Sequence, residues 1–130
     1  MEALSDAEFL AAFEAGTLAT FHHCDHVRMT WIYLRAHGEA AAERKVVDGI
    51  QRFAAAKGAT GMFHVTLTRA WLSLVAAALR TMPDGDFGAF ARAHAGLLDK
   101  DRIYRHYRRH TIASALARTG WVEPDLQPLP

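Results

Sequence analysis

The sequence predicts an all-α fold, a single-domain bundle of five or six helices closed by an extended, proline-rich C-terminal tail. Three observations lead there. Apolar residues recur at three- and four-residue spacing through most of the chain, and no useful stretch alternates apolar and polar residues with the period of two that a half-buried strand shows. The periodic stretches end at glycines or at a Pro-Asp-Gly turn. The 130 residues are 51% hydrophobic, ample for one core, and neither an internal repeat nor a domain boundary is visible.

The first helix opens with Ser5 and Glu8, a capping-box pair, carries Phe9, Leu10 and Phe13 on one face and stops at Gly16. The second starts between Thr20 and Asp25, sets Val27, Trp31 and Leu34 on its buried face and ends at Gly38. The third runs from about Glu39 to Lys57 with Val46, Val47, Ile50 and Phe53 as its apolar stripe, and Lys57-Gly58 forms its C-terminal stop. The fourth, Thr60 to Arg80, is nearly all apolar from Ala70 to Leu79, which makes it the central helix. After the turn MPDGD come FGAFARAHAGLLD and KDRIYRHYRRHTIASALARTG, two further helical stretches, the second broken near Thr111. The tail, WVEPDLQPLP, has three prolines among its last seven residues and is expected to lie extended on the surface, packed by Trp121 and Leu126.

Composition narrows the partners. A net charge of +1 creates no global field that would favour a polyanion or a membrane surface. The single cysteine, Cys24, excludes an internal disulfide, fits a reducing compartment and reads as a buried, inert thiol. The N-terminal stretch MEALSDAEFLAAFEAG is acidic and amphipathic, unlike a signal peptide. The longest run free of both charged residues and histidine, AWLSLVAAAL, has ten residues, about half of the ~20 needed to cross a bilayer. The expectation is a cytoplasmic protein without nucleic-acid or membrane partners.

The chemistry concentrates in the histidines, of which five of 8 precede residue 65. On a helix His23, His26, Thr30, Tyr33 and His37 fall along one face, with His23 and His26 one turn apart. Two imidazoles so spaced offer two metal ligands on a rigid element, and a third must come from elsewhere. His64, sharing a face with Thr68, Trp71 and Val75 in the first turn of the fourth helix, is the candidate. Three histidines with open positions are a catalytic rather than a structural layout, because structural zinc sites are closed by four protein ligands. The expected site is therefore a divalent transition metal (Zn, Fe, Cu or Ni) on His23, His26 and His64. Asp25 is its base or orienting group, and Tyr33, Thr68 and Trp71 line the pocket of a small-molecule substrate. The competing reading is a non-enzymatic interaction module, a homodimer or partner-binding domain, whose histidines are capped or satisfied in the core.

A rival signal is KDRIYRHYRRH, in which Arg102, Arg105, Arg108 and Arg109 interleave with Tyr104 and Tyr107. Such a stripe suits an anionic substrate or phosphates, but Asp99 and Asp101 dilute it and a solvated face is the reading adopted. His106 and His110 are a second pair four residues apart, poor cation ligands among so many arginines.

With these residues in place, the chain resembles a group of small, uncharacterised bacterial helical proteins. Their pattern reads F-x-H-x-D-H-V-R, then an aromatic-H-E-T-x-T segment, then V-x-P-D. The matches are Phe21, His23, Asp25, His26, Val27 and Arg28; Phe63, His64, Thr66 and Thr68; and Val122, Pro124 and Asp125. The resemblance attaches no activity; it implies the same three histidines, and Val65 stands where its pattern has Glu. A weaker likeness, at the level of fold alone, is to the DinB/YfiT-type four-helix bundles that present three histidines to a divalent metal and include thiol transferases.

Overall fold

The computed structural model describes residues 4–59 and 61–130. Among them lie seven α-helices, two 3-10 segments and no strand, so the all-helical expectation holds. The α-helices are α1 (Asp6–Ala15), α2 (His23–His37), α3 (Glu39–Ala56), α4 (Val65–Thr81), α5 (Phe87–Ala93), α6 (Arg109–Ala113) and α7 (Ala115–Thr119); the 3-10 segments are Ala95–Leu98 and Lys100–Arg105. None of the described helices is long and apolar enough to cross a membrane.

The first half of the chain forms the frame. Helix α1 carries the expected capping box, with Ser5 Oγ accepting from Glu8 N–H and Glu8 Oε1 accepting from Ser5 N–H, and it ends at Gly16 in the left-handed region. Helix α2 packs most extensively on α3, α4 leans on both, and α1 lies across α3. Arg28 on α2 holds the start of α1 through a 2.8 Å ion pair to Asp6 and stacks over the Phe9 ring.

Between these helices Phe13, Phe21 and Phe53 form an aromatic cluster with ring centroids 5.2 to 5.6 Å apart. Gly49 on α3 makes room for it: a Cβ there would stand 2.6 Å from Phe13 Cε2. The α3 stripe is as expected for Val46, Ile50 and Phe53, while Val47 is only half-buried and Gly49 takes a core position instead.

The second half departs further from expectation. The expected start of the fourth helix, Thr60, lies outside the described residues, and the helix begins at Val65 with His64 as its N-cap. The two expected C-terminal helices are broken into short pieces. Asp99 caps the 3-10 segment at Asp101 N–H, and Ser114, in extended backbone, accepts from Ala117 N–H to start α7. Local side-chain caps of this kind compete with helix continuation. Tyr107, expected on a solvated basic face, is fully buried and donates its hydroxyl to Val122 O at 2.7 Å.

The tail has neither helix nor strand, bends at residues 125–127, and is held by polar anchors. Thr66 Oγ1 donates to Gly120 O and accepts from Val122 N–H; Asp125 accepts from Arg108 N–H and the Thr111 hydroxyl. Leu126 N–H donates to His106 O. Trp121 packs on the core as expected, but Leu126 is 46% exposed and Leu129 packs in its place.

The Gly49→Ala substitution reverses the usual helix preference. Alanine normally favours a helix interior by about 1 kcal/mol over glycine, but here the methyl must displace a wedged Phe13 ring. We expect a net loss of roughly 1–3 kcal/mol in urea unfolding, relieved by adding Phe13→Leu. A more stable Gly49→Ala variant would contradict the packing.

Candidate functional site

The helix starts meet at a cavity of about 460 Å³. Its walls come from the start of α2 (His22, His23, His26), from Ile50 on α3, from the start of α4 (His64, Leu67, Thr68, Trp71) and from the 100–109 segment. All three histidines expected to act together line it, as do Thr68 and Trp71.

Each imidazole has a different status. His64 is buried and occupied on both sides: Nδ1 accepts from Leu67 N–H at 3.0 Å, and Nε2 donates to Ile112 O at 2.7 Å. A backbone N–H can only donate and a carbonyl can only accept, so these partners fix the neutral Nε2–H tautomer. The ring thereby caps α4 and ties it to the end of α6. In this arrangement His64 has no lone pair free for a metal ion.

His23 Nε2 donates to Leu97 O at 2.8 Å, and its ring meets Trp71 edge-on with centroids 4.3 Å apart. Burial lowers its pKa, and the Leu97 carbonyl opposes that only in part. His26 is the one that stands apart. Its Nε2 is sealed from solvent and has no hydrogen-bond partner among the described residues. Burial, helped by the neighbouring His23, pushes its pKa down from 6.5 to about 4. Both rings are neutral at physiological pH.

Other expected site residues lie elsewhere. Tyr33 is buried but not on the cavity wall; ten residues along a helix from His23 is about 15 Å of rise, too far to share the site. Its surroundings include Glu14 and Arg52, and burial raises its pKa to about 12. His37, on the same face, is exposed. Asp25 is absent from the cavity wall, and its Oδ2 accepts from His22 N–H at 2.9 Å, so it serves as a helix-start cap. Cys24 is exposed rather than buried, with its thiol pKa raised by partial burial and by Asp25. His106 and His110 do not form a helical pair: His106 is buried before α6 with Nδ1 bonded to Gln127 O, while His110 is exposed. No group of three or more His, Cys, Asp or Glu side chains among the described residues is placed to hold a metal ion.

Sequence reasoning missed the cavity's outer wall. Lys100, Asp101, Ile103, Tyr104 and Arg109 all line it, and Arg109 stacks over the Tyr104 ring at 4.1 Å. The interleaved Arg and Tyr residues were the available signal, but local spacing carries no information on which helix start they would face. No protein-family model matches the chain, nor does any curated protein or solved structure.

The partly buried imidazoles of His23 and His26 make stability pH-dependent. His26 titrates near 6.5 when unfolded and near 4 when folded, so between those values the unfolded chain binds more protons and stability falls as pH falls. His23 acts in the same direction. From about pH 7.5 to 5 the His26 contribution is a loss of roughly 2 kcal/mol. Urea unfolding at the two pH values should show it, with a shallower dependence in His26→Leu. Equal stability at both pH values would contradict the burial of a neutral ring.

Proposed function

We propose that the chain binds a small organic molecule in this cavity, with His23 and His26 as neutral polar contacts beside the apolar and aromatic side chains of its wall. The observation that carries the reading is the cavity of about 460 Å³ with His26 on its wall, a ring whose sealed Nε2 has no hydrogen-bond partner among the described residues. Unpaired buried polar atoms are costly and uncommon; Arg102 Nε and His106 Nε2 are also unpaired, and of these three residues His26 alone lines the cavity. The volume lies within the range of small-molecule sites, and the lining mixes apolar and aromatic side chains with histidines and charged groups. Ile50, Leu67 and Trp71 supply the apolar surface, and His23 and His26 the polar contacts.

A metal centre on His23, His26 and His64 is the second reading, favoured because all three rings line one cavity. It requires His64 to release Leu67 N–H or Ile112 O, at the cost of a helix cap or a buried hydrogen bond. Such a centre would supply Lewis-acid chemistry at its open position.

Both readings are tested on untagged protein by following the aromatic side-chain NMR signals. Indole, as a neutral probe, should shift His26 and Trp71 saturably, and Leu67→Trp, which fills the wall, should abolish the effect. Absence of any indole response, together with stoichiometric uptake of Zn²⁺, Fe²⁺, Cu²⁺ or Ni²⁺ that His26→Ala removes, would favour the metal centre. A melting temperature that ignores both probes and rises with protein concentration would favour an interaction module instead.

A further inference from the structure

We infer that the cavity is built for an organic acid, its carboxylate held at the rim by Lys100 and Arg109 and a hydroxyl at its far end bonded to His26. This rests on the reading of the cavity as a small-molecule site and specifies the ligand's chemistry.

The rim carries the charge. Lys100 and Arg109 are both exposed and form no ion pair among the described residues, whereas the ion pairs present involve Arg28, Arg69 and Arg80. Asp101 on the same rim offsets one of the two cations. Two helix starts add to the positive field. His23 opens the 15-residue α2 and His64 caps the 17-residue α4, whose first turn contains no acidic residue. Asp25 partly neutralises the first of these helix ends, and nothing does so at the second. An anion at the rim therefore meets a guanidinium, an ammonium and the positive end of α4. A cation meets only Asp101.

Apolar and aromatic side chains, among them Trp71, Tyr104, Ile50 and Ile103, also line the cavity. A planar ring or short apolar chain matches this lining, gaining burial without needing polar partners.

The inner end carries His26. Its ring lines the cavity and its Nε2 has no partner among the described residues, but that atom is closed to a water-sized probe, so the ligand's hydroxyl meets it when the ring turns toward the cavity. A hydroxyl both donates and accepts, so it satisfies this nitrogen in either neutral tautomer; a carboxylate or an ammonium satisfies only one.

The test titrates the full chain with 4-hydroxyphenylacetate, phenylacetate, 4-hydroxyphenylacetamide and indole, reading dissociation constants by NMR or calorimetry. The hydroxy acid should bind tightest. Removing the hydroxyl should weaken binding roughly 3- to 10-fold, and replacing the carboxylate by the amide should weaken it about 10-fold, as loss of charge-assisted bonds does. In Lys100→Gln/Arg109→Gln the acid should lose its advantage over the amide. In His26→Leu the hydroxy acid should lose its advantage over phenylacetate. Should His26→Leu fail to fold, the four probes on the unaltered protein still decide. Amide and acid binding equally would overturn the organic-acid inference while indole binding keeps the cavity reading. Binding of none of the four would overturn both.

Discussion

The imidazole of His64 joins two parts of the chain that no long helix connects. By accepting Leu67 N–H it starts α4, the most apolar of the long helices, and by donating to Ile112 O it pins α6 against that start. Two residues on, Thr66 bonds Gly120 and Val122, so the same turn of α4 also anchors the C-terminal tail. The second half of the molecule is made of short helical pieces, each too short to be stable alone. Its position therefore depends on such side-chain bonds to α4 as much as on apolar packing. The cavity lies in the resulting gap, between the α2–α3–α4 frame and the 100–109 segment.

Polar residues can occupy this interior because nearly all of them are matched. Thr66, Thr68 and His64 are buried, yet each finishes its bonding on backbone atoms nearby or on the tail. Thr66, Val122 and Asp125 take part in that scaffold and latch the tail to α4 and to the start of α6. His26 and His106 break the pattern, each with an Nε2 that has no partner among the described residues. His106 still holds the tail through Nδ1 and Gln127 O, whereas the ring of His26 lines the cavity.

Much of the frame was legible in the sequence. The Ser5–Glu8 box, the stops at Gly16 and Gly38 and the buried stripe of α3 follow from local rules, and local rules suffice where one helix decides the outcome. The convergence of His23, His26, His64, Thr68 and Trp71 was legible for the same reason, since helical spacing sorts faces correctly near a helix start. The failures have a common cause. Tyr33 shares the face of His23 but sits too far along the axis, because periodicity gives direction around a helix and says nothing of distance along it. The wall from Lys100 to Arg109 depends on folding the chain back across α4, which no window of residues encodes. Nor does a residue type reveal its hydrogen bonds, and His64 reads in sequence as a ligand although its bonds make it a cap.

That His64 holds the fold while His26 meets a ligand is open to test by long-range ¹H–¹⁵N correlation of the histidine side chains at neutral pH. The expected spectrum shows His64 in the neutral Nε2–H form, unchanged by excess Zn²⁺, while the ring nitrogens of His26 move on addition of an organic acid. A His64 ring in the opposite tautomer, or one whose nitrogen shifts as a metal ligand when Zn²⁺ is added, would contradict it and return all three histidines to a metal centre.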